Sequence, residues 1–329
     1  MSNQDSDLLT IGLSQIAPVW LNRAATLEKV CTAIAEAAEA GCKLVAFGEA
    51  LVPGYPKWIE MTNGAEFNSP VQKRLHAHYV DQAVQIEAGH LDAVCRLAAE
   101  RGIVVVLGII ERPADRGGHS LYASLVYIDS AGVIQSVHRK LMPTYEERLS
   151  WSPGDGAGLR VHSLGRFTVG GLNCWENWMP LARTSLFAQG EDLHIAIWPG
   201  SDALTKDITR FMAMEGRSYC VSVSGLLRSS DLSDDVPSAD LILDAATDVL
   251  ANGGSCIAMP NGEWLVPPVV NEERLIVAEI DHALVREERQ NFDPVGHYSR
   301  PDVFQLTINR QRQMIARIQD AGTHADGTQ

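Results

Sequence analysis

Apolar and polar positions repeat along this chain with two periods, and the two periods take turns. Leu9 to Ile16 alternates apolar and small or polar residues and reads as a strand. Ala24 to Ala40 sets Leu27, Val30, Cys31, Ile34 and Ala38 on one face at helical spacing and stops at Gly41. Leu44 to Phe47 is a short, wholly apolar run, as expected of a buried strand. His90 to Arg101 reads as a helix ended by Gly102, and Ile103 to Ile110 is a nearly pure β-branched run, a central strand. Leu121 to Ile128 and Val133 to Arg139 flank Asp129-Ser130-Ala131-Gly132, a hairpin signal, and a second hairpin follows around Gly165-Arg166. Met179 to Gln189 is a helix, Leu193 to Trp198 a strand, Asp207 to Ser218 a helix and Val221 to Ser224 a strand. Ser255 to Met259 and Arg274 to Ile280 are expected to form a last hairpin across Pro260-Asn261-Gly262.

Strands and helices intermix with no Pro/Ser-rich linker and no repeat of fixed period. The expected organisation is one α/β domain over residues 1–310 with mixed sheets, then a polar tail over 311–329, frayed or lying on a partner subunit. A chain of 329 residues with 46% hydrophobic content can bury a sizeable core. Its 27 basic and 41 acidic residues leave a formal charge of −14, which excludes nucleic acid and anionic membrane as natural partners. No run of 18 apolar residues exists, so no transmembrane helix is expected. Met1 to Asp7 is polar and acidic, the opposite of a secretory signal. The six cysteines are scattered without a C-x-x-C pair, which implies reduced thiols and a cytoplasmic setting. The ten histidines lack metal-ligand spacing, and His76 and His78, two apart in a helical stretch, point to different faces, so no metal is expected.

The candidate chemistry sits where strands end. Phe167 to Asn173 is a β-type run closed by Cys174-Trp175-Glu176-Asn177, with a helix starting soon after. A side chain at such a corner stands above the strand ends, where backbone N–H groups are free to meet an anion. Taken alone, Cys174 reads equally as a buried core cysteine. Two further strands end in ionisable residues. Leu44-Val45-Ala46-Phe47 leads to Glu49 and a loop containing Pro53-Gly54-Tyr55-Pro56, and Val133 to Arg139 leads to Lys140 before Pro143. A carboxylate just after an apolar strand is uncommon unless paired or functional.

At these residues the chain resembles the nitrilase superfamily, whose triad is Glu, Lys, Cys in that order, and it is most similar to the true nitrilase branch. The resemblance rests on Glu49-Ala50 with the Pro/Gly loop, on Arg139-Lys140 with Pro143-Thr144 and Glu147-Arg148, and on Cys174-Trp175-Glu176-Asn177. Asp293 to Asp302, which contains His297 and Arg300, adds a fourth piece, read as structural or as a subunit contact. The likeness covers residues 8–308, and of its motifs only the Cys-Trp-Glu segment is specific by itself. Gly48 stands where much of the family has proline, a change expected to alter the turn and not the role of Glu49. The resemblance implies a four-layer α-β-β-α sandwich of two mixed sheets. It also implies a homo-oligomer, a dimer or larger and in some members a spiral.

A thiol attacks well only as thiolate. Glu49 is the expected base, Lys140 the cation aimed at developing charge, and the N–H of Trp175 a second donor. The family likeness adds Glu147, whose carboxylate helps place Lys140 and the substrate, whereas Glu146 beside it reads as a solvated charge. Tyr55, Trp58, Met61 and Trp198 are expected to line a pocket for the organic part of a small-molecule substrate, with core packing as the alternative. Glu176 and Asn177 are expected to hold the turn by side chain–backbone bonds. Gly117-Gly118 is a loop with no likeness to a phosphate cradle, and the cluster His138-Arg139-Lys140 is too short for nucleic acid. The expected reaction is hydrolysis of an organic nitrile to acid and ammonia without a cofactor, through a thioimidate and thioester on Cys174. An amidase, or a hydratase releasing the amide, would use the same residues. A non-catalytic assembly protein would lack one of the three, and a papain-like protease would need a Cys–His pair.

Overall fold

The structure, a computed structural model, describes residues 6–316. Among the described residues, thirteen strands run β1 (Leu8–Gln15), β2 (Leu44–Phe47), β3 (Val104–Glu111), β4 (Tyr122–Ile128), β5 (Ile134–Arg139), β6 (His162–Leu164), β7 (Phe167–Asn173), β8 (Leu193–Trp198), β9 (Tyr219–Ser224), β10 (Leu226–Arg228), β11 (Val249–Ala258), β12 (Trp264–Val270) and β13 (Arg274–Asp281). They form two mixed sheets. One has the order β13-β1-β2-β3-β4-β5, the other β10-β11-β9-β8-β7-β6, with β12 paired to β11. The helices are α1 (Arg23–Glu39), α2 (Trp58–Met61), α3 (Pro70–Gln82), α4 (Asp92–Arg101), α5 (Pro180–Phe187), α6 (Asp202–Gly216), α7 (Ala239–Ala245) and α8 (His282–Glu288).

The period-two alternation of the strands decides the layers. Leu9, Ile11 and Leu13 of β1, Leu44 and Ala46 of β2, and Val104 and Val106 of β3 turn one way. They meet Val169, Ile195, Ile197, Val221 and Ile257 of the other sheet in a dry central core. Val45, Phe47, Val105 and Leu107 turn the other way, onto Val30, Ile34 and Ala37 of α1 and Val94 and Ala98 of α4. On the far side of the second sheet, Ala196, Trp198 and Cys220 pack on Ile208, Met212 and Ala213 of α6. The result is the expected four-layer α-β-β-α sandwich.

The expected last hairpin is corrected. Ser255 to Ala258 belongs to β11, which turns through Met259 to Gly262 into β12, while Arg274–Asp281 crosses to the first sheet and pairs antiparallel with the whole of β1. Pro267 and Pro268 hide β12 from the strand pattern, because proline cannot donate to a ladder. Here β12 pairs only with β11, in a ladder broken by register shifts, so the missing donors are tolerated. Helix α6 begins at Asp202, five residues before the expected start, where Ser201 caps it by accepting from Ala203 N. The boundary expected at residue 311 falls within a segment that is bonded to the body: Arg312 pairs with Asp155 at 2.9 Å and Gln313 N donates to the same carboxylate. Residues 317–329 of the expected tail lie outside the described residues.

Candidate active site

Three strand ends converge on one point. Glu49 follows β2, Lys140 directly follows β5, and Cys174 directly follows β7, so the two sheets contribute from opposite sides. The loop after β2 is tied down on several sides. Glu49 N and Gly225 N both donate to Trp198 O, Ile110 N donates to Val52 O, Tyr79 Oη to Gly54 O and Trp20 Nε1 to Tyr55 O. Gly48 has a local reason to be glycine in this chain: a Cβ there would stand 2.8 Å from the Trp198 carbonyl oxygen and 3.0 Å from Gly225 N. Three non-glycine residues at this point are left-handed, Ala50 at φ 54°, Tyr145 at φ 40° and Cys174 at φ 48°. Such conformations cost energy and persist where the surroundings over-determine them.

The four ionisable groups are almost wholly buried. Lys140 Nζ lies 2.7 Å from Glu147 Oε2 and 2.9 Å from Glu49 Oε1. Its directed hydrogen bond goes to Glu147, and among the described residues no donor is directed at either oxygen of Glu49. Glu147 is itself fixed, accepting from Thr144 N at 2.6 Å and from Tyr55 Oη at 2.9 Å. Carboxylate oxygens of Glu49 and Glu147 and the Cys174 Sγ all lie within 4.8 Å of one another. Burial pushes Glu49 up to about 8; the Lys140 charge opposes this and the Glu147 charge adds to it. Burial works against the Lys140 ammonium, but the charges of Cys174, Glu49 and Glu147 outweigh it and hold the group protonated. The Cys174 thiol is pushed well up, by burial first and then by Glu49, against the pull of Lys140 and the Trp175 N–H.

These groups can move a proton between thiol and carboxylate beside a fixed cation. Glu49 is paired with Lys140, has a raised proton affinity, and its carboxylate lies within 4.8 Å of the thiol sulfur. Glu49, Glu147 and Cys174 would also be a donor set for a metal ion. However, the Lys140 ammonium already stands where the two carboxylates converge and supplies the compensating charge.

A cleft of about 270 Å³ reaches Cys174 and Glu147, walled by Tyr55, Glu60, Glu146, Trp175, Leu204 and Ala251. Tyr55 and Trp175 therefore stand at the cleft. Trp198 is fully buried beneath Cys174, its indole donating to Ser222 Oγ. Trp58 departs from the expectation: it packs edge-on against Tyr79 and faces a separate cavity of about 570 Å³ with His76 and Arg112. Glu146 is also not a solvated charge; it is half-buried on the cleft wall and accepts from Tyr55 Oη at 3.2 Å. Glu176 and Asn177 do hold the turn, accepting from Asn173 N and donating to Cys174 O respectively. His297 and Arg300 are exposed, and Arg300 pairs with Asp302.

The sequence assigned no role at the site to Thr144, Glu60 or His138. For Thr144 a signal was present. Thr144-Tyr145-Glu146-Glu147 is a capping box, as is Asn173-Cys174-Trp175-Glu176, and both close in the structure. His138 and Glu60 carry no such local signal, because their partners come from other segments.

The model for the family described as carbon-nitrogen hydrolase matches residues 10–290. The chain is 38% identical over 308 residues to a protein named nitrilase 2 from an unknown prokaryotic organism, covering 93% of this chain and 94% of that one. It is 31% identical to an aliphatic nitrilase of Rhodococcus rhodochrous, covering 95% and 86%. Among solved structures, a carbon-nitrogen hydrolase from Helicobacter pylori G27 shares the fold at a TM-score of 0.65, with 18% identity over 90% of this chain and 96% of that one. With the family match spanning most of the chain and relatives above 30% identity covering nearly all of it, this protein belongs to the carbon-nitrogen hydrolase family.

Proposed function

We propose that this protein is a nitrilase, hydrolysing an organic nitrile to the carboxylic acid and ammonia, with Cys174 as nucleophile, Glu49 as base and acid, Lys140 as the charge-stabilising cation and Glu147 as its positioning carboxylate. The observation that carries this reading is the convergence of a thiol, an under-bonded buried carboxylate and an ammonium at one cleft floor. The 31–38% identity to proteins named nitrilases supports the choice among reactions these groups could perform.

Glu49 takes the thiol proton and Sγ adds to the nitrile carbon. The nitrogen gains the electron pair and then the proton, giving a thioimidate. Glu49 next deprotonates a water that adds to the same carbon and returns that proton to the nitrogen, then carries the hydroxyl proton of the tetrahedral intermediate to the same nitrogen. Ammonia leaves, a thioester remains, and a second water releases the acid and restores the thiol. Charge on nitrogen and oxygen along this path faces Lys140 and the Trp175 N–H. Nitrile plus two waters balances acid plus ammonia, so no redox partner enters.

Tyr55 and Trp175 belong to the substrate-binding wall in this proposal, and Trp198 supports the floor. A homo-oligomer of two or more copies is part of the same proposal, supported by exposed Trp178, Leu181 and Phe211 on and around α5 and α6, and is tested by light scattering on a sizing column. A cytoplasmic setting is supported by six free cysteines. Among the described residues no helix is long and apolar enough to cross a membrane. The deciding experiment is a panel of nitriles and matching amides assayed together for ammonia, acid and amide. Acid and ammonia in equal amounts from a nitrile are expected. Turnover of amides with inert nitriles would make the protein an amidase, and amide as sole product a hydratase.

A further inference from the structure

Glu176 performs no step in the chemistry above, yet it is wholly buried and both of its oxygens are bonded. Oε1 accepts from Leu141 N at 2.8 Å. Oε2 accepts from Asn173 N at 3.0 Å and lies 2.8 Å from His138 Nε2. Leu141 is the residue after Lys140, Asn173 the residue before Cys174, and His138 sits on β5 two residues ahead of Lys140. One carboxylate therefore ties the end of β5 to the end of β7.

Those two strands share no ladder, because they lie in different sheets. Glu147 cannot set their spacing. It binds Lys140 and Thr144 on its own stretch of chain and Tyr55 on the loop after β2, and none of these lies on β7. The nucleophile, meanwhile, stands in a left-handed turn that an ordinary residue leaves unless it is held. Burying a carboxylate is costly unless charge and lone pairs are both met. Burial works against ionised Glu176, but His138 and the two backbone N–H groups outweigh it and keep the carboxyl below its ordinary range.

We propose that Glu176, held by His138, is a positioning residue that sets the distance between the Lys140 ammonium and the Cys174 sulfur by bridging the two sheets. This inference rests on Cys174 being the nucleophile. A carboxylate can accept from all three donors at once. An amide can accept at only one of its two ends, so Glu176→Gln sets an N–H₂ group against a backbone N–H donor and breaks one end of the bridge. His138→Gln keeps a donor toward Glu176, and His138→Ala removes it.

The test measures kcat and KM on a nitrile the wild type hydrolyses and the rate at which iodoacetamide alkylates Cys174, both on folded protein at 25 °C, and the melting temperature by a thermal scan. A misplacement on the order of 1 Å predicts a fall in kcat of about 100-fold for Glu176→Gln with KM little changed. Alkylation is expected to slow in parallel, and His138→Gln to recover most of what His138→Ala loses. Wild-type kcat and wild-type alkylation in a variant that merely melts earlier would overturn the proposal, leaving Glu176 a fold-stabilising residue. If Glu176→Gln does not fold, the two His138 variants read the same bridge. If the wild type turns over no nitrile, the nitrilase reading fails, while the alkylation rates still decide the bridge.

Discussion

Two turns flank the site, Tyr145–Leu149 and Cys174–Trp178, and they are built alike. Each is a 3₁₀ turn entered through a polar residue, Thr144 or Asn173, and closed by the carboxylate three residues on. Each begins with a left-handed residue that is not glycine. They differ in where they point. Tyr145 is 81% exposed, whereas Cys174 is 2% exposed. Glu147 aims into the cleft at Lys140 and Tyr55; Glu176 aims at His138 and the Leu141 N–H. The same local device therefore presents a catalytic candidate in one place and a bracing group in the other. The capping pattern specifies the turn, and the elements packed around it specify the use.

The largest expected effect breaks the second turn's chemistry. Cys174→Ala is expected to abolish ammonia and acid release while far-UV circular dichroism and the melting curve stay close to wild type, since the side chain supplies little packing. Comparable turnover would remove the thiol from the mechanism. Next come the groups that act on it. Glu49→Gln keeps the shape and loses the base, so acylation should fall by roughly 10²–10⁴-fold. Lys140→Met should raise the barrier by on the order of 3 kcal/mol. If iodoacetamide labels Cys174 as fast in both variants as in wild type, the two groups do not activate it.

Glu147→Gln then tests the first turn. Its charge holds the proton affinity of Glu49 up, and Glu49 lies at about 8. The wild-type kcat/KM should therefore rise with pH through about 8 as the base ionises, and Glu147→Gln should shift that limb to lower pH. Total turnover should fall and the amide-to-acid ratio rise, read by mass spectrometry of the products of one nitrile. An unchanged ratio and rate would make Glu147 a bystander. The same raised carboxyl predicts a stability trend. Between its ordinary 4.5 and about 8, folded Glu49 binds more proton than unfolded Glu49. Its contribution is full below that window and is lost as pH rises through it. Melting temperature should consequently fall less from pH 5 to 9 in Glu49→Gln than in wild type. The smallest effect belongs to Tyr145. Tyr145→Gly relieves a left-handed side chain at an entropic cost, so activity should stay near wild type and stability within about 1 kcal/mol. A large loss of kcat would mean that the first turn depends on its opening residue as the second depends on Cys174.

Much of this was legible in one dimension, and what was not has identifiable causes. Glu49, Lys140 and Cys174 stood out together, because each follows a strand pattern and their chain order, Glu, Lys, Cys, matches one known triad. The capping boxes at Thr144 and Asn173 are legible in the three-residue spacing to Glu147 and Glu176. Strand β12 was not, because Pro267 and Pro268 erase the strand signal that an edge position tolerates. Trp58 was read as a pocket residue from its nearness to Glu49 in sequence, but its neighbours are Tyr79 and Trp20, from helix α3 and from the loop between β1 and α1.

The sequence by itself determined most of the strands other than β12 and the two faces of each, since these follow from side-chain period. The tertiary structure alone decided that Arg274–Asp281 pairs with β1 and not β11, that Lys140 bonds Glu147 while Glu49 stays under-bonded, and that Glu176 meets His138. The pairing of β1 with β13, the meeting of Glu176 with His138 and the approach of Glu49 to Lys140 all join segments far apart in the chain. Such choices are made when two sheets close on one another, and no local pattern records them.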